Sequence, residues 1–95
     1  MKLTFLKEAL DEYNAAVDHY IKKNERVTRR FVAEFESGVE AILEKPLRWR
    51  KEGESTRIYR MPNFPYSLIY RAGEEAVIFV AVAHHRRRPG YWQNR

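Results

Sequence analysis

The spacing of apolar residues changes twice along this chain, and each change marks an element. Lys2 to Leu6 reads as a short opening strand. From Lys7 to Asn24 the residues Leu10, Tyr13, Val17, Tyr20 and Ile21 recur at steps of three and four, which is one stripe of an amphipathic helix. Asn24 and Glu25 interrupt that stripe. From Val27, Phe31, Phe35, Val39, Ile42 and Leu43 resume it until Pro46, whose ring and missing N–H forbid continuation. So short a joint folds the helices back on each other as an antiparallel hairpin, and both stripes then need a further layer.

The second half supplies that layer. Thr56 to Met61, Tyr66 to Arg71 and Ala76 to His84 are rich in β-branched and aromatic residues and read as strands, the last two joined through Ala72-Gly73-Glu74-Glu75. Val77 to Val82 is apolar at every position, so both its faces are covered and it belongs in the middle of the sheet. The expected fold is α+β: a short N-terminal strand and a helical hairpin on one face of a small, mainly antiparallel sheet, one domain over residues 1–95. Tyr13, Tyr20, Phe31 and Phe35 sit at helical spacing and are expected in the core.

Composition narrows the chemistry. The chain has 95 residues, 44% hydrophobic and 33% charged, with four glycines and four prolines, a profile that fits neither a disordered nor a fibrous chain. It contains no cysteine, which excludes disulfides, a thiol nucleophile and thiolate zinc sites. The longest uncharged apolar run, Ala76 to Ala83, is far short of the roughly 20 residues of a membrane span, so the expected location is the cytoplasm, without membrane association. His19, His84 and His85 make no recognised metal spacing, and neither a phosphate-binding glycine loop nor a Gly-x-Ser-x-Gly elbow occurs. No metal and no cofactor are expected.

Charge is distributed unevenly. Residues 1–45 carry eight Lys/Arg against nine Asp/Glu, whereas residues 46–95 carry ten against four. All ten but Lys51 are arginines, whose planar fork pairs phosphate oxygens bidentately. The basic half therefore points to a polyanion or an acidic partner. After the last strand, His84-His85-Arg86-Arg87-Arg88-Pro89-Gly90-Tyr91-Trp92-Gln93-Asn94-Arg95 interleaves basic and aromatic residues. That composition suits phosphate pairing plus stacking on bases; the alternative for Tyr91 and Trp92 is a fold-back that caps the sheet.

These segments resemble a known superfamily. Arg60 stands just ahead of Phe64-Pro65-Tyr66-Ser67-Leu68-Ile69-Tyr70-Arg71, followed by Ala81-Val82-Ala83-His84, then Arg86-Arg87 and Tyr91-Trp92. Together with the helical hairpin and the length, this order is similar to the RelE/ParE superfamily of toxins from bacterial type II toxin–antitoxin modules, including members described as plasmid-stabilisation proteins. The resemblance implies a cognate protein antitoxin as partner, with operator DNA engaged only through it. It also implies one of two targets. RelE-like members cleave messenger RNA on the ribosome, and ParE-like members poison DNA gyrase without cutting RNA.

Cleavage by the substrate's own 2′-hydroxyl needs a base, an acid and positive charge on the phosphorane. On the RelE-like reading, which the sequence favours, Arg60, His85 and Tyr91 are the catalytic candidates. Arg48, Arg50, Lys51, Arg71, Arg86, Arg87 and Trp92 are the candidates for holding substrate. Arg60 matches an arginine of the RelE-like nucleases. Consecutive strand residues point to opposite faces, so only one of His84 and His85 shares a face with Arg60, and His85 is preferred. Two features depart from the nuclease pattern: Pro89-Gly90 with Trp92 beside Tyr91, and arginines where other members carry a lysine-rich segment. Arginine stays protonated and is a poor base. These departures, with the Val82-Ala83-His84 strand end, keep open the alternative, a ParE-like poison of gyrase.

Overall fold

Asn24 parts the two helices by capping the second. Its side-chain oxygen accepts from the N–H groups of Arg26 and Val27 at 2.8 and 3.3 Å, pairing amides that a helix start otherwise leaves open. In the computed structural model, which describes residues 1–95, α1 spans Lys7–Ile21 and α2 spans Glu25–Glu44. The strands are β1 (Lys2–Phe5), β2 (Arg57–Arg60), β3 (Tyr66–Ala72) and β4 (Ala76–His84). They form one sheet in the order β1-β4-β3-β2, with β1 parallel to β4 and the other pairs antiparallel.

The helical hairpin covers one face of this sheet. Phe31 of α2 lies at the centre of an aromatic cluster, with Tyr13, Tyr20, Phe35, Phe64 and Tyr66 ring centroids 5.1 to 6.3 Å away. Leu68, Tyr70, Val77, Phe79 and Val82 meet it from the sheet. Tyr70 is fully buried, and its hydroxyl donates to the Pro46 carbonyl at 2.6 Å, tying the segment after α2 to the sheet. Burial pushes that phenol up to about 12, with Arg57 opposing the shift.

α1 is rolled relative to the stripe read from the sequence. Leu10 and Ile21 are 46% and 60% exposed, while Ala9 and Ala16 are buried. The two short side chains let the helix approach β4 closely, which turns Glu12 inward and Leu10 outward. Leu10 then lines an open apolar groove of about 370 Å³ with Phe5, Tyr13, Phe35 and Val39.

β4 has a second apolar face. The β3–β4 register passes from Ile69↔Ala81 to Tyr70↔Phe79 and skips Val80. The irregularity lets Phe79 and Val82 both face the helices while Val80, Ala81 and Ala83 face the other way. Val80, Ala81 and Ala83 form a second core with Ile69, and Trp92 closes it. The segment after β4 thus folds back beneath the sheet, which is why the whole central strand is apolar.

Gly38 on α2 is a contact point with β2. A Cβ there would meet Tyr59 Cε1 at 2.8 Å, and the Tyr59 ring is itself set edge-on against Trp49 at 4.7 Å. Alanine normally favours a helix over glycine by about 1 kcal/mol. Here overpacking, at about 1–3 kcal/mol, outweighs that gain. Gly38→Ala is expected to lower the thermal midpoint, and a melting curve checks it.

Candidate functional site

The candidate site is built on the sheet face away from the helices. Arg60 of β2 pairs with Ser67 of β3, and Ser67 pairs with Ala83 of β4, so the three stand in a row across the strands. His85, two residues beyond Ala83, reaches back over this row. Its Nε2 is 3.0 Å from Ser67 Oγ, and its backbone N–H donates to the Pro65 carbonyl at 2.9 Å. His84 points the other way, its ring edge-on to Tyr66 at 5.0 Å and its Nδ1 accepting from the Arg86 N–H. Strand alternation allowed only one of the two histidines on the Arg60 face, and the register places His85 there, although His84 also reaches the cleft wall.

Arg60, Ser67 and His85 line a cleft of about 150 Å³ together with Arg50, Arg87 and Trp92. Glu52 is the acid on its wall, and it is held by Arg50 at 3.3 Å. The Arg60 side chain makes no ion pair or hydrogen bond, so its guanidinium is free for an external anion. The cleft carries three arginines against one carboxylate. Oriented donors beside a net positive charge suit a phosphate or carboxylate ligand.

Partial burial, then the Arg60 guanidinium and, less, His84 push the His85 imidazole below its ordinary value, against a hydrogen bond with the Tyr66 backbone. His85 is thus neutral at pH 7 and available as a proton acceptor. The unfolded chain binds this proton more readily than the folded one. Stability from this group is therefore present above the unfolded value of about 6.5 and is lost as pH falls below it toward the lower folded value. Replacing His85 with glutamine is expected to flatten the fall in thermal midpoint between pH 8 and pH 5, read by melting wild type and variant side by side.

The remaining candidates are dispersed. Trp92 is only 6% exposed; it walls the cleft from inside the second core and presents no free ring for stacking on a base. The fold-back alternative holds for it. The Tyr91 hydroxyl donates to Glu12 Oε2 at 2.7 Å and lies outside the cleft. Burial, followed by the hydrogen bond to Glu12, raises its pKa far above the ordinary tyrosine value, so it holds its proton and is a poor general acid near neutrality. Arg71 reaches the Arg95 carbonyl at 3.2 Å, and Arg48 lies over Trp49 with 5.0 Å to the ring centroid. Lys51 bridges to Arg57 at the outer edge of β2. Arg86 is exposed outside the cleft. Of the seven substrate-holding candidates, Arg50, Arg87 and Trp92 line the cleft; the others stand apart because they leave different strands and turns on different sides.

Glu12 is the residue that the sequence reading passed over. It sits between Ala9 and Ala16 on the inner side of α1, and because those alanines carry little weight in an apolar pattern, nothing local in the sequence marked it. Its side chain is 15% exposed and meets Arg95 and Arg87 as ion pairs. No three His, Asp or Glu side chains gather to hold a metal ion, and no helix is long and apolar enough to cross a membrane.

A helical hairpin on one face of a four-stranded sheet is the RelE/ParE-like fold, and in this chain the other face carries a basic cleft. The family model described as "ParE toxin of type II toxin-antitoxin system, parDE" matches residues 3–89, and the chain belongs to that family. The fold is similar to a solved chain from the "Chromosomal ParDE TA system from P. aeruginosa", with a TM-score of 0.75 and 16% sequence identity, covering 88% of this chain and 95% of that one. No curated protein matches the sequence. As a family of toxin–antitoxin systems, ParE toxins imply a cognate antitoxin as partner.

Proposed function

We propose that this toxin acts in the cytoplasm by binding DNA gyrase through its basic cleft and trapping the enzyme on broken DNA, while its antitoxin holds it silent. The observation that carries this reading is the separation of the proton-transfer candidates. Arg60 and His85 share the cleft, whereas Tyr91 is committed to Glu12 outside it. A surface with charge and shape but without a gathered acid–base pair suits binding better than bond cleavage. Membership of the ParE family supports the same side.

One observation favours a second reading, ribosome-dependent cleavage of messenger RNA. Arg60, Ser67 and a neutral His85 stand together, so a phosphate held by Arg60 would lie beside a competent base. The two readings separate in one experiment with the purified chain. Added to gyrase, plasmid and ATP, it is expected to generate linear DNA, and added to a purified translation system, it is expected to leave the messenger intact. Cut messenger with undisturbed gyrase would establish the second reading instead.

A further inference from the structure

We propose that Glu12 is a positioning residue for the toxic surface: it fixes the segment after β4 so that Trp92 and Arg87 form one side of the basic cleft. The proposal rests on the reading of that cleft as the surface that meets the target.

Glu12 does not line the cleft. Its two carboxylate oxygens accept hydrogen bonds from β4 and from three residues of the segment after it. Oε1 accepts from the backbone N–H of Val82 at 2.9 Å and from Arg95 Nη1 at 2.9 Å. Oε2 accepts from the Tyr91 hydroxyl at 2.7 Å, from Arg95 Nη2 at 3.0 Å and from Arg87 Nη1 at 3.4 Å. The lone pairs of the carboxylate are all engaged. Arg95 closes on it with both nitrogens of its fork, the geometry that gives carboxylate pairs their strength and direction.

The position of this group explains its reach. β1 accompanies β4 as far as Phe5↔Phe79, and beyond that the edge of β4 is bare. Glu12 takes the Val82 N–H on that bare edge, and Arg95 donates to the Val80 carbonyl at 3.1 Å. One carboxylate thereby finishes the sheet edge and docks the returning chain on it. Arg87 lies over the Tyr91 ring, its guanidinium carbon 3.8 Å from the centroid, so the same assembly sets the direction of Arg87. Trp92 follows Tyr91 directly and is seated against Ile69, Val80, Ala81 and Ala83, where it walls the cleft. Removing the carboxylate leaves Arg95 half-buried without its counter-charge and the Val82 N–H without a partner, so the segment loses its anchor while the helical hairpin and its aromatic cluster are untouched.

The test compares wild type with Glu12→Ala and Glu12→Gln. Glutamine keeps an acceptor for Val82 and Tyr91 but does not neutralise Arg95. Two readouts are taken well below the melting midpoint of each protein: the rate of trypsin cleavage at Arg86–Arg88, and growth arrest on induction in cells. Glu12→Ala is expected to be cut about tenfold faster and to need about tenfold more expression to arrest growth, with Glu12→Gln between it and wild type on both scales. A Glu12→Ala protein whose segment resists trypsin like wild type would overturn the proposal, as would a loosened segment with undiminished growth arrest. If Glu12→Ala does not fold, the same two outcomes on Glu12→Gln decide. Growth arrest without gyrase-dependent DNA breaks would count against the target proposed above and leave the role of Glu12 intact. Undiminished gyrase trapping by Glu12→Ala would count against Glu12 alone.

Discussion

Replacing Trp92 with alanine is expected to cost about 3–5 kcal/mol of folding stability, the range for deleting a large buried aromatic side chain. The indole closes the second core over Ile69, Val80, Ala81 and Ala83. Small domains hold only about 5–15 kcal/mol in total, so the variant is expected to melt far below wild type or to fail to fold at growth temperature. Trp92→Phe is the control. It keeps an aromatic face and discards a buried Nε1–H that has no partner within the protein. Its expected loss is a fraction of that for alanine. Losses for both variants of less than about 1 kcal/mol would mean that the segment after β4 contributes little to the core. Denaturant titration of the three proteins measures the difference.

The second large effect is on function. Arg60 is the cleft arginine with no internal partner, so its removal leaves the fold unchanged and takes away the charge directed at a ligand. A hydrogen bond from a charged group contributes about 1.5–3 kcal/mol, or roughly 10- to 150-fold in affinity for the target. Arg60→Ala is expected to abolish growth arrest at expression levels that stop wild-type cells, with a melting midpoint within a few degrees of wild type. Arg60→Glu is expected to be weaker still, because it also repels an anion. Full toxicity in either variant, with the protein demonstrably present, would remove the cleft from the account. Arg86→Ala supplies the comparison: this exposed arginine stands outside the cleft, so its loss is expected to change toxicity little.

Much of the architecture was legible in the amino-acid order because period and burial coincide there. The stripe through Phe31, Phe35 and Ile42 is the buried stripe of α2, and the unbroken apolar run Val77 to Val82 is the strand covered on both faces. Strand alternation also limited the Arg60 side of the sheet to one of His84 and His85, and the register makes it His85. The face of α1 was harder to read. Hydrophobicity selects Leu10 and Ile21, yet close approach to β4 selects Ala9 and Ala16, and small residues carry little weight in an apolar pattern. The segment after β4 was ambiguous for a related reason. Tyr91 and Trp92 have the same composition whether they stack on a ligand or close a core, and the choice depended on a carboxylate about eighty residues earlier in the chain, for which no local pattern exists. Convergence of the arginines was likewise partial: Arg50, Arg60 and Arg87 meet in the cleft, whereas Arg48 and Arg71 are occupied by Trp49 and the Arg95 carbonyl.

The parallel pairing of β1 with β4 sets an order of events in the cell. Lys2 finds Ala76 and Phe5 finds Phe79, so the first strand made waits for the last before it has a neighbour. Such distant pairings form late, because the intervening polypeptide must be closed into a loop first. A nascent chain can therefore assemble its helical hairpin early, but the sheet that carries Arg60 and His85 is incomplete until β4 has been synthesised. On that order the cleft lined by Arg60 and His85 exists only in the finished molecule.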